Sequence, residues 1–218
     1  MSETVTTFKL DSPEVAIPMD RDEFYREQIQ EFKNNGKPSR AVGIVDIFLF
    51  DIKGELFVQK RSDGKAHNAG MFDKSLGGHI QFGDSPNYTT MVESVQELQV
   101  PSITLNSEED FIKTYGVLEE YLDTIAVVRL LDEKIGYYVK MIHGEKIVIA
   151  NKKHLYIGIY DGSTKTVDRE AKGVILYTLE DLKKEIKANP NLFTHDLAHY
   201  LNKYEDDMKK TLKKLKVL

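Results

Sequence analysis

Gly77-Gly78-His79-Ile80-Gln81-Phe82-Gly83-Asp84-Ser85-Pro86-Asn87-Tyr88-Thr89-Thr90-Met91-Val92-Glu93-Ser94-Val95-Gln96-Glu97-Leu98-Gln99-Val100-Pro101 is the stretch on which the reading of this chain turns. Three glycines punctuate its first part. A helix follows with a clear start: Ser85 is a good N-cap, and Pro86 suits the first helical position, where a missing N–H costs nothing. Tyr88, Met91, Val92, Val95 and Leu98 then recur at helical spacing, which predicts one apolar face turned to the core. Pro101 stops the helix. Glu93, Gln96 and Glu97 fall on the opposite side, one turn apart and within reach of a common ion. Two carboxylates and an amide oxygen are hard ligands of the kind Mg²⁺ accepts. Asp84 precedes the cap, and the Gly77-Gly78 backbone can bring carbonyls close to a ligand.

Upstream, residues 1 to 20 mix Thr, Ser, Pro and acids without a clear period and read as a loose or edge-strand arm. Asp22 to Lys33 looks helical, with Phe24, Ile29 and Phe32 as its apolar contacts, and Gly36 and Pro38 end it. Residues 1–40 are thus expected to pack as an arm and short helix on a domain formed by 41–218. Ala41 to Phe50 and Gly54 to Lys60 read as strands around the turn Asp51-Ile52-Lys53-Gly54. Downstream, strands are expected at Thr124–Leu131, Gly136–Ile142, Lys146–Ala150, His154–Tyr160 and Gly173–Tyr177. Leu179–Ala188 reads as a helix ended by Asn189-Pro190, and Thr194 as the cap of a long final helix with one apolar stripe. Strands and helices interleave with no linker between them, so an α/β/α sandwich with a mixed sheet is expected, the helix after Pro86 on one side and the C-terminal helices on the other.

The 218 residues are 41% hydrophobic and 30% charged, which excludes collagen-like, low-complexity and wholly disordered classes. Cysteine is absent, so disulfides, thiolate metal sites and a cysteine nucleophile are excluded. No signal-like start and no long apolar run is present, which points to a soluble, cytoplasmic protein. The net charge of −5 argues against general nucleic-acid binding. Acids concentrate between Leu105 and Asp123, and lysines between Lys203 and Lys216; both read as solvated surface.

The order Gly78, five residues, Asp84, seven residues, Val92-Glu93-Ser94-Val95-Gln96-Glu97-Leu98-Gln99-Val100 resembles the Nudix box, G-x5-E-x7-R-E-U-x-E-E-x-G-U with U a bulky apolar residue. The resemblance extends to the isopentenyl-diphosphate-isomerase-like branch through Gln59-Lys60-Arg61-Ser62, Lys65, Gly70, Asp73-Lys74-Ser75 and Gly77-Gly78-His79. It continues through Tyr160-Asp161-Gly162, Glu170, Leu179-Glu180-Asp181-Leu182 and Asn189-Pro190-Asn191-Leu192-Phe193-Thr194, so it covers roughly residues 40 to 205. It implies a Nudix-type sandwich. It also implies that Glu93 and Glu97 are metal ligands, Gln96 stands at a third ligand position, the Gly77 carbonyl is a further ligand, and Asp84 is an outer partner near the substrate. Asp84, Val92, Ser94, Gln96 and Gln99 depart from the pattern. Among these, Gln96 removes a negative charge, Val92 an orienting Arg, and Gln99 a glycine that usually helps end the helix.

The implied chemistry is Mg²⁺-assisted hydrolysis of a small diphosphate, nucleotide-like or other, with Mn²⁺ as a substitute ion. Glu93 is the first candidate base and Glu170 the second. Arg61 and Lys74, with Lys60, Lys65 and Arg129, are candidate phosphate contacts, and His79 a loop histidine near the substrate. Gly77 stands where the isomerases carry a catalytic cysteine, so isomerisation is not expected. A Nudix-fold module that binds without turnover, and an interaction protein docking through its lysine-rich last helix, are the other readings. No membrane or nucleic-acid partner is expected, and oligomeric state, a homodimer included, is left open.

Overall fold

Thr4–Lys9 (β1) and Ser12–Asp20 (β2) pair as an antiparallel hairpin, and β1 continues onto the sheet by pairing Thr7 with Val42. Its inward side chains, Val5 and Phe8, are buried. The helix Arg21–Asn35 (α1) follows directly. Asp20 caps it by accepting from the amides of Asp22 and Glu23, and Gly36 ends it in the left-handed region at φ 69°. The structure, a computed structural model, describes residues 3–65, 67–142, 144–164 and 171–217.

Arg40–Phe50 (β3) is the central strand, and its alternation organises the core. Val45, Ile47 and Leu49 point to one face, Phe48 and Phe50 to the other, as a strand's period of two requires. Asp51 then makes the turn, its Oδ1 accepting from the amides of Lys53 and Glu55. Leu56–Arg61 (β4) returns, followed by the short strands Phe72–Asp73 (β5) and Leu76–His79 (β6). β4 meets β3 only at Phe50 and Leu56, whereas β6 pairs with β3 from Ile44 to Ile47. The edge of the sheet therefore changes partner there, and a cavity opens at that place.

Pro86–Leu98 (α2) matches the expected helix, with Ser85 Oγ accepting from the Tyr88 amide. Its orientation does not match. Tyr88, Met91 and Val95 are 54%, 43% and 51% exposed, while Thr89, Thr90, Ser94, Glu97 and Leu98 are buried. The expected apolar face looks outward because the helix lies on β6 and the following strand through its small, polar side. Two of the inward polar groups have partners, Ser94 Oγ donating to the Thr90 carbonyl at 2.8 Å and Gln59 Nε2 donating to Glu97 at 2.9 Å, whereas the Thr89 and Thr90 hydroxyls are buried without one.

Ser102–Leu105 (β7) and Glu108–Leu118 (α3) come next, neither expected from the sequence. The acidic segment supplies α3, whose first turn holds Glu108, Glu109 and Asp110 beside the helix's positive end. Four expected strands are two long ones, Ala126–Ile142 (β8) and Glu145–Ile159 (β9), which pair throughout with one bulge between Leu130 and Asp132. Ala171–Tyr177 (β10), Leu179–Ala188 (α4) and His195–Lys214 (α5) complete the described chain, α5 capped by Thr194 as expected.

The main path of the sheet runs β10-β4-β3-β9-β8-β7. It is mixed: β3–β9 and β7–β8 are parallel, the other pairs antiparallel. Leu98 and Val100, at the end of α2, bury against Val45, Ile47, Leu49 and Tyr156 on one face. Tyr200, Leu201, Met208 and Leu212 of α5, with Leu182 of α4 and Phe111 of α3, bury against Phe48, Phe50, Leu155 and Ile157 on the other. The fold class is α/β, a mixed sheet between helical layers. No helix among the described residues is long and apolar enough to cross a membrane.

Gln99 ends α2 in the left-handed region at φ 57°, its N–H bonded to the carbonyls of Ser94 and Val95. A side chain there costs about 1–2 kcal/mol, part of which a glycine returns to unfolded-chain entropy. Gln99→Gly is therefore expected to stabilise the fold by about 0.5–1 kcal/mol. For a chain of this size thermal melting should rise by about 1–4 °C, and an unchanged or lower melting temperature would contradict the assignment.

Candidate functional site

Two adjacent glycines open the two faces of β6. A Cβ on Gly78 would lie 1.8 Å from Glu93 Oε1, so the bare backbone is what lets the glutamate of α2 lie flat on the strand. A Cβ on Gly77 would lie 2.7 Å from the Val45 carbonyl and 2.8 Å from Lys74 Cε. That gap is the route by which Lys74 reaches Asp46, at 2.9 Å.

Asp46 is the centre of a buried charge network. It stands in the middle of β3 at 1% exposure, and Lys153 of β9, equally buried, approaches it at 3.1 Å. Lys153 also donates to Asp196 at 2.7 Å, in the first turn of α5. Tyr200 donates its hydroxyl to Asp46 at 2.7 Å. On the other flank Asp73 accepts from the Thr194 hydroxyl at 2.8 Å and pairs with Arg61 at 3.2 Å. Carboxylates and cations thus alternate, and the residue that caps α5 is bonded into the network. Burial pushes the Asp46 carboxyl up, but Lys153 and Lys74 outweigh it and hold it well below its ordinary range. Burial likewise works against Lys74 and Lys153, and their carboxylate partners outweigh it, so both ammoniums are held above their usual range.

Above this floor lies a cavity of about 270 Å³, lined by Asp46, Asp73, Lys74 and Asp196 below and by Gly77, Gly78, Glu93 and Gln96 at one side. Arg61, Lys65 and His79 also line it. The structure therefore brings together Glu93, Gln96, Gly77, Arg61, Lys65, Lys74 and His79 of the residues singled out from the sequence. Glu97 sits behind the wall, buried against Gln59, and Asp84 lies away from it. Lys60 rests over the Phe72 ring, and Arg129 donates to Thr211 under α5; neither lines the cavity. Glu170 lies outside the described residues. Burial, then Lys140 and Arg21, push the His79 imidazole well below its ordinary value, so it is neutral at pH 7.

Asp46, Lys153 and Asp196 are absent from the sequence reading. Their signal is a charged side chain interrupting an apolar run: Asp46 inside Ala41–Phe50, and Lys153 just before Leu155-Tyr156-Ile157. Such residues are almost never buried unless paired. The N-terminal contribution to the cavity, Glu3, Arg21 and Tyr25, carries no comparable signal.

The donors on the α2 wall determine which ion fits. Glu93 and Gln96 are hard oxygen groups, and one is anionic. Among the described residues no three His, Asp or Glu side chains converge as a metal cluster. This set fits a Mg²⁺ that keeps its waters and takes one or two carboxylates plus substrate phosphates, and does not fit an ion held by protein ligands alone.

Comparison with known proteins agrees with this geometry at the level of the fold. No protein-family profile matches the chain. It is 24% identical over 148 residues to an isopentenyl-diphosphate Δ-isomerase of Serratia proteamaculans, covering 68% of each chain. It superposes on the crystal structure of DR0079 from Deinococcus radiodurans with a TM-score of 0.63, at 18% identity, over 92% of this chain and 98% of that one. It also superposes, with a TM-score of 0.50 and 12% identity, on a bifunctional NMN adenylyltransferase/ADP-ribose pyrophosphatase of Francisella tularensis complexed with AMP and manganese. That match covers 86% of this chain and 47% of the other.

The network gives a stability prediction with a definite sign. Asp46 has a lowered folded value, so its contribution is present above its unfolded value, about 3.9, and is lost as pH falls below it. Lys74 and Lys153 have raised values, so theirs is present below about 10.4 and is lost as pH rises beyond it. Melting temperature measured against pH should show a plateau between these limits. Asp46→Asn leaves two buried ammoniums short of a partner and should cost about 3–5 kcal/mol at neutral pH. Its acid limb should also be shallower than the parent's. A neutral Asp46→Asn would contradict the network.

Proposed function

We propose, taking the Nudix-type fold and the isopentenyl-diphosphate-isomerase sequence relatives as premises, that the chain is a Mg²⁺-dependent hydrolase cleaving the diphosphate linkage of a small substrate. The observation that carries this reading is Glu93 seated on Gly78 at the wall of a polar cavity whose floor holds Lys74 and Arg61. Carboxylate, amide and cations are thereby offered to one small ligand.

In this mechanism water attacks one phosphorus, and the bridging P–O bond breaks. Glu93 is the group that takes the water's proton, supported by its place on the wall. Lys74 and Arg61 face the phosphate oxygens, where fixed cations stabilise the charge that develops as the bond breaks. Gln96 offers a neutral oxygen beside Glu93. Glu97, tied to Gln59, keeps the inner face of α2 in register with β4 rather than meeting the substrate. Neutral His79 donates or accepts without adding charge. A Mg²⁺ bound by Glu93, Gln96 and the substrate phosphates supplies charge neutralisation and a more acidic water.

The isomerisation named for the sequence relative finds less support here. The chain has no cysteine, and any side chain at position 77 would press within 2.7 Å of the Val45 carbonyl. A cysteine at that place would require β3 or Lys74 to move. A second reading, ligand binding without turnover, draws on one observation: Glu93 is the one carboxylate of α2 among the described residues that lines the cavity.

Turnover on a panel of diphosphates with Mg²⁺ tests the proposal. Glu93→Gln should lower kcat by about 100- to 1000-fold, a loss of about 3–4 kcal/mol of transition-state stabilisation, with the melting temperature kept. Gln96→Glu should tighten Mg²⁺ binding, read by titration calorimetry, because it adds a carboxylate one turn from Glu93. A folded parent that binds pyrophosphate but turns over no member of the panel would replace hydrolysis with the binding reading.

A further inference from the structure

The N-terminal segment supplies the wall of the cavity that faces the α2 side. Arg21 and Tyr25 of α1 line it together with Lys65, His67 and Lys140. Tyr25 is the hub of this wall. Lys140 Nζ donates to the Tyr25 hydroxyl at 3.4 Å, and that hydroxyl is hydrogen-bonded to His79 Nε2 at 2.9 Å. The Tyr25 ring packs on His67 at a 47° tilt with centroids 4.6 Å apart and is backed edge-on by Phe24 at 5.2 Å. The phenol is buried between these two partners, so the relay fixes where the Lys140 ammonium sits.

Charge placement then distinguishes the two ends of the cavity. The carboxylates of the floor are matched: Asp46 by Lys74 and Lys153, Asp73 by Arg61, Asp196 by Lys153. Arg21 is paired with Glu3 at 3.0 Å. Lys140, held by the Tyr25 hydroxyl, meets no carboxylate among the described residues. Apart from Ile44, Val45 and the Tyr25 ring, the walls are polar. A hydrocarbon tail finds no apolar wall here; a second anionic group finds an ammonium.

We infer that Lys140, positioned by Tyr25 and flanked by Arg21 and Lys65, is a second phosphate subsite, so the substrate is a compact polyphosphorylated compound with a phosphoryl group beyond the diphosphate that is cleaved. The inference rests on the proposed reading of the Glu93 wall as the place where the diphosphate binds. It gives the N-terminal hairpin and α1 a role: they complete the site, and a prenyl diphosphate is the wrong substrate class for it.

Titration calorimetry of the full chain in Mg²⁺ tests this with inorganic pyrophosphate and inorganic tripolyphosphate as probes. The parent should bind tripolyphosphate about tenfold more tightly, the size of one charge-assisted contact. Lys140→Gln should abolish that preference while leaving pyrophosphate affinity within about twofold, and Lys140→Arg should restore most of it. Tyr25→Phe, which removes the hydroxyl and keeps the ring, should lose part of it with no large change in melting temperature. A parent without the preference, or a folded Lys140→Gln that keeps it, overturns the subsite. Tighter binding of dimethylallyl diphosphate than of tripolyphosphate overturns the substrate class. If neither inorganic probe binds, the diphosphate reading fails and the subsite with it. Binding with the expected preference but no turnover leaves the subsite standing and removes hydrolysis alone.

Discussion

Asp46 is ionised at the centre of the sheet, with two lysine ammoniums and a tyrosine hydroxyl around it, and much of the molecule is arranged so that it can be. Burying one charge costs several kcal/mol even after relaxation, so its partners must be delivered to fixed points. β9 must run parallel to β3 for Lys153 to arrive, and α5 must begin where Thr194 and Asp196 reach the same spot. Gly77 must lack a side chain for Lys74 to pass. Replacing such a network by apolar groups is often neutral or favourable, so stability is not what explains its presence. What it offers is a floor of alternating, nearly cancelled charges whose positions are set by β3, β4, β5, β9 and α5 together.

The sheet's alternation converts that floor into a site. Successive residues of β6 address opposite faces, and glycine at both 77 and 78 lets Lys74 in from one side and Glu93 in from the other. Neither approach depends on a flexible loop. Lys74 is confined by two carboxylates, and Glu93 lies on the rigid backbone of a strand and is carried by a helix. Preorganisation of this kind is what makes charges effective when a reaction redistributes charge, because nothing needs to reorient at that moment.

Much of this architecture is legible in the sequence because it is written in local chemistry. Ser85-Pro86, Thr178 and Thr194 announce helix starts, and α4 and α5 follow with clear apolar stripes. β8 and β9 are less legible because Asp132-Glu133-Lys134 and Asn151-Lys152-Lys153 break their apolar runs. In the structure the first break follows a bulge and the second carries the buried Lys153, so each polar interruption lies inside a strand. The candidate site divides in the same way. Glu93, Gln96 and Gly77 stand out by spacing, whereas Tyr25 becomes visible only when α1 folds over the cavity, and Asp46, a charge in an apolar run, gains its partners only when β3 meets β9. Those are contacts between residues far apart in sequence, and no periodicity encodes them.

The orientation of α2 shows why periodicity failed where it mattered most. An amphipathic helix normally turns its apolar stripe inward, since burial of apolar area is the main driving term. Here Tyr88, Met91 and Val95 remain in water while Ser94 and Glu97 are buried. The inversion is less costly because the charged inward group is bonded within the protein, Glu97 to Gln59, as is Ser94 to Thr90, while the Thr89 and Thr90 hydroxyls are buried without partners. It is also unavoidable once Glu93 must lie on Gly78: turning the apolar stripe to the sheet would carry the carboxylate out to solvent, away from the floor. The helix therefore gives up hydrophobic burial to keep one carboxylate at a fixed point. A sequence pattern that obeys the chemistry of a site instead of the chemistry of a core will mislead any reading based on hydrophobic period alone.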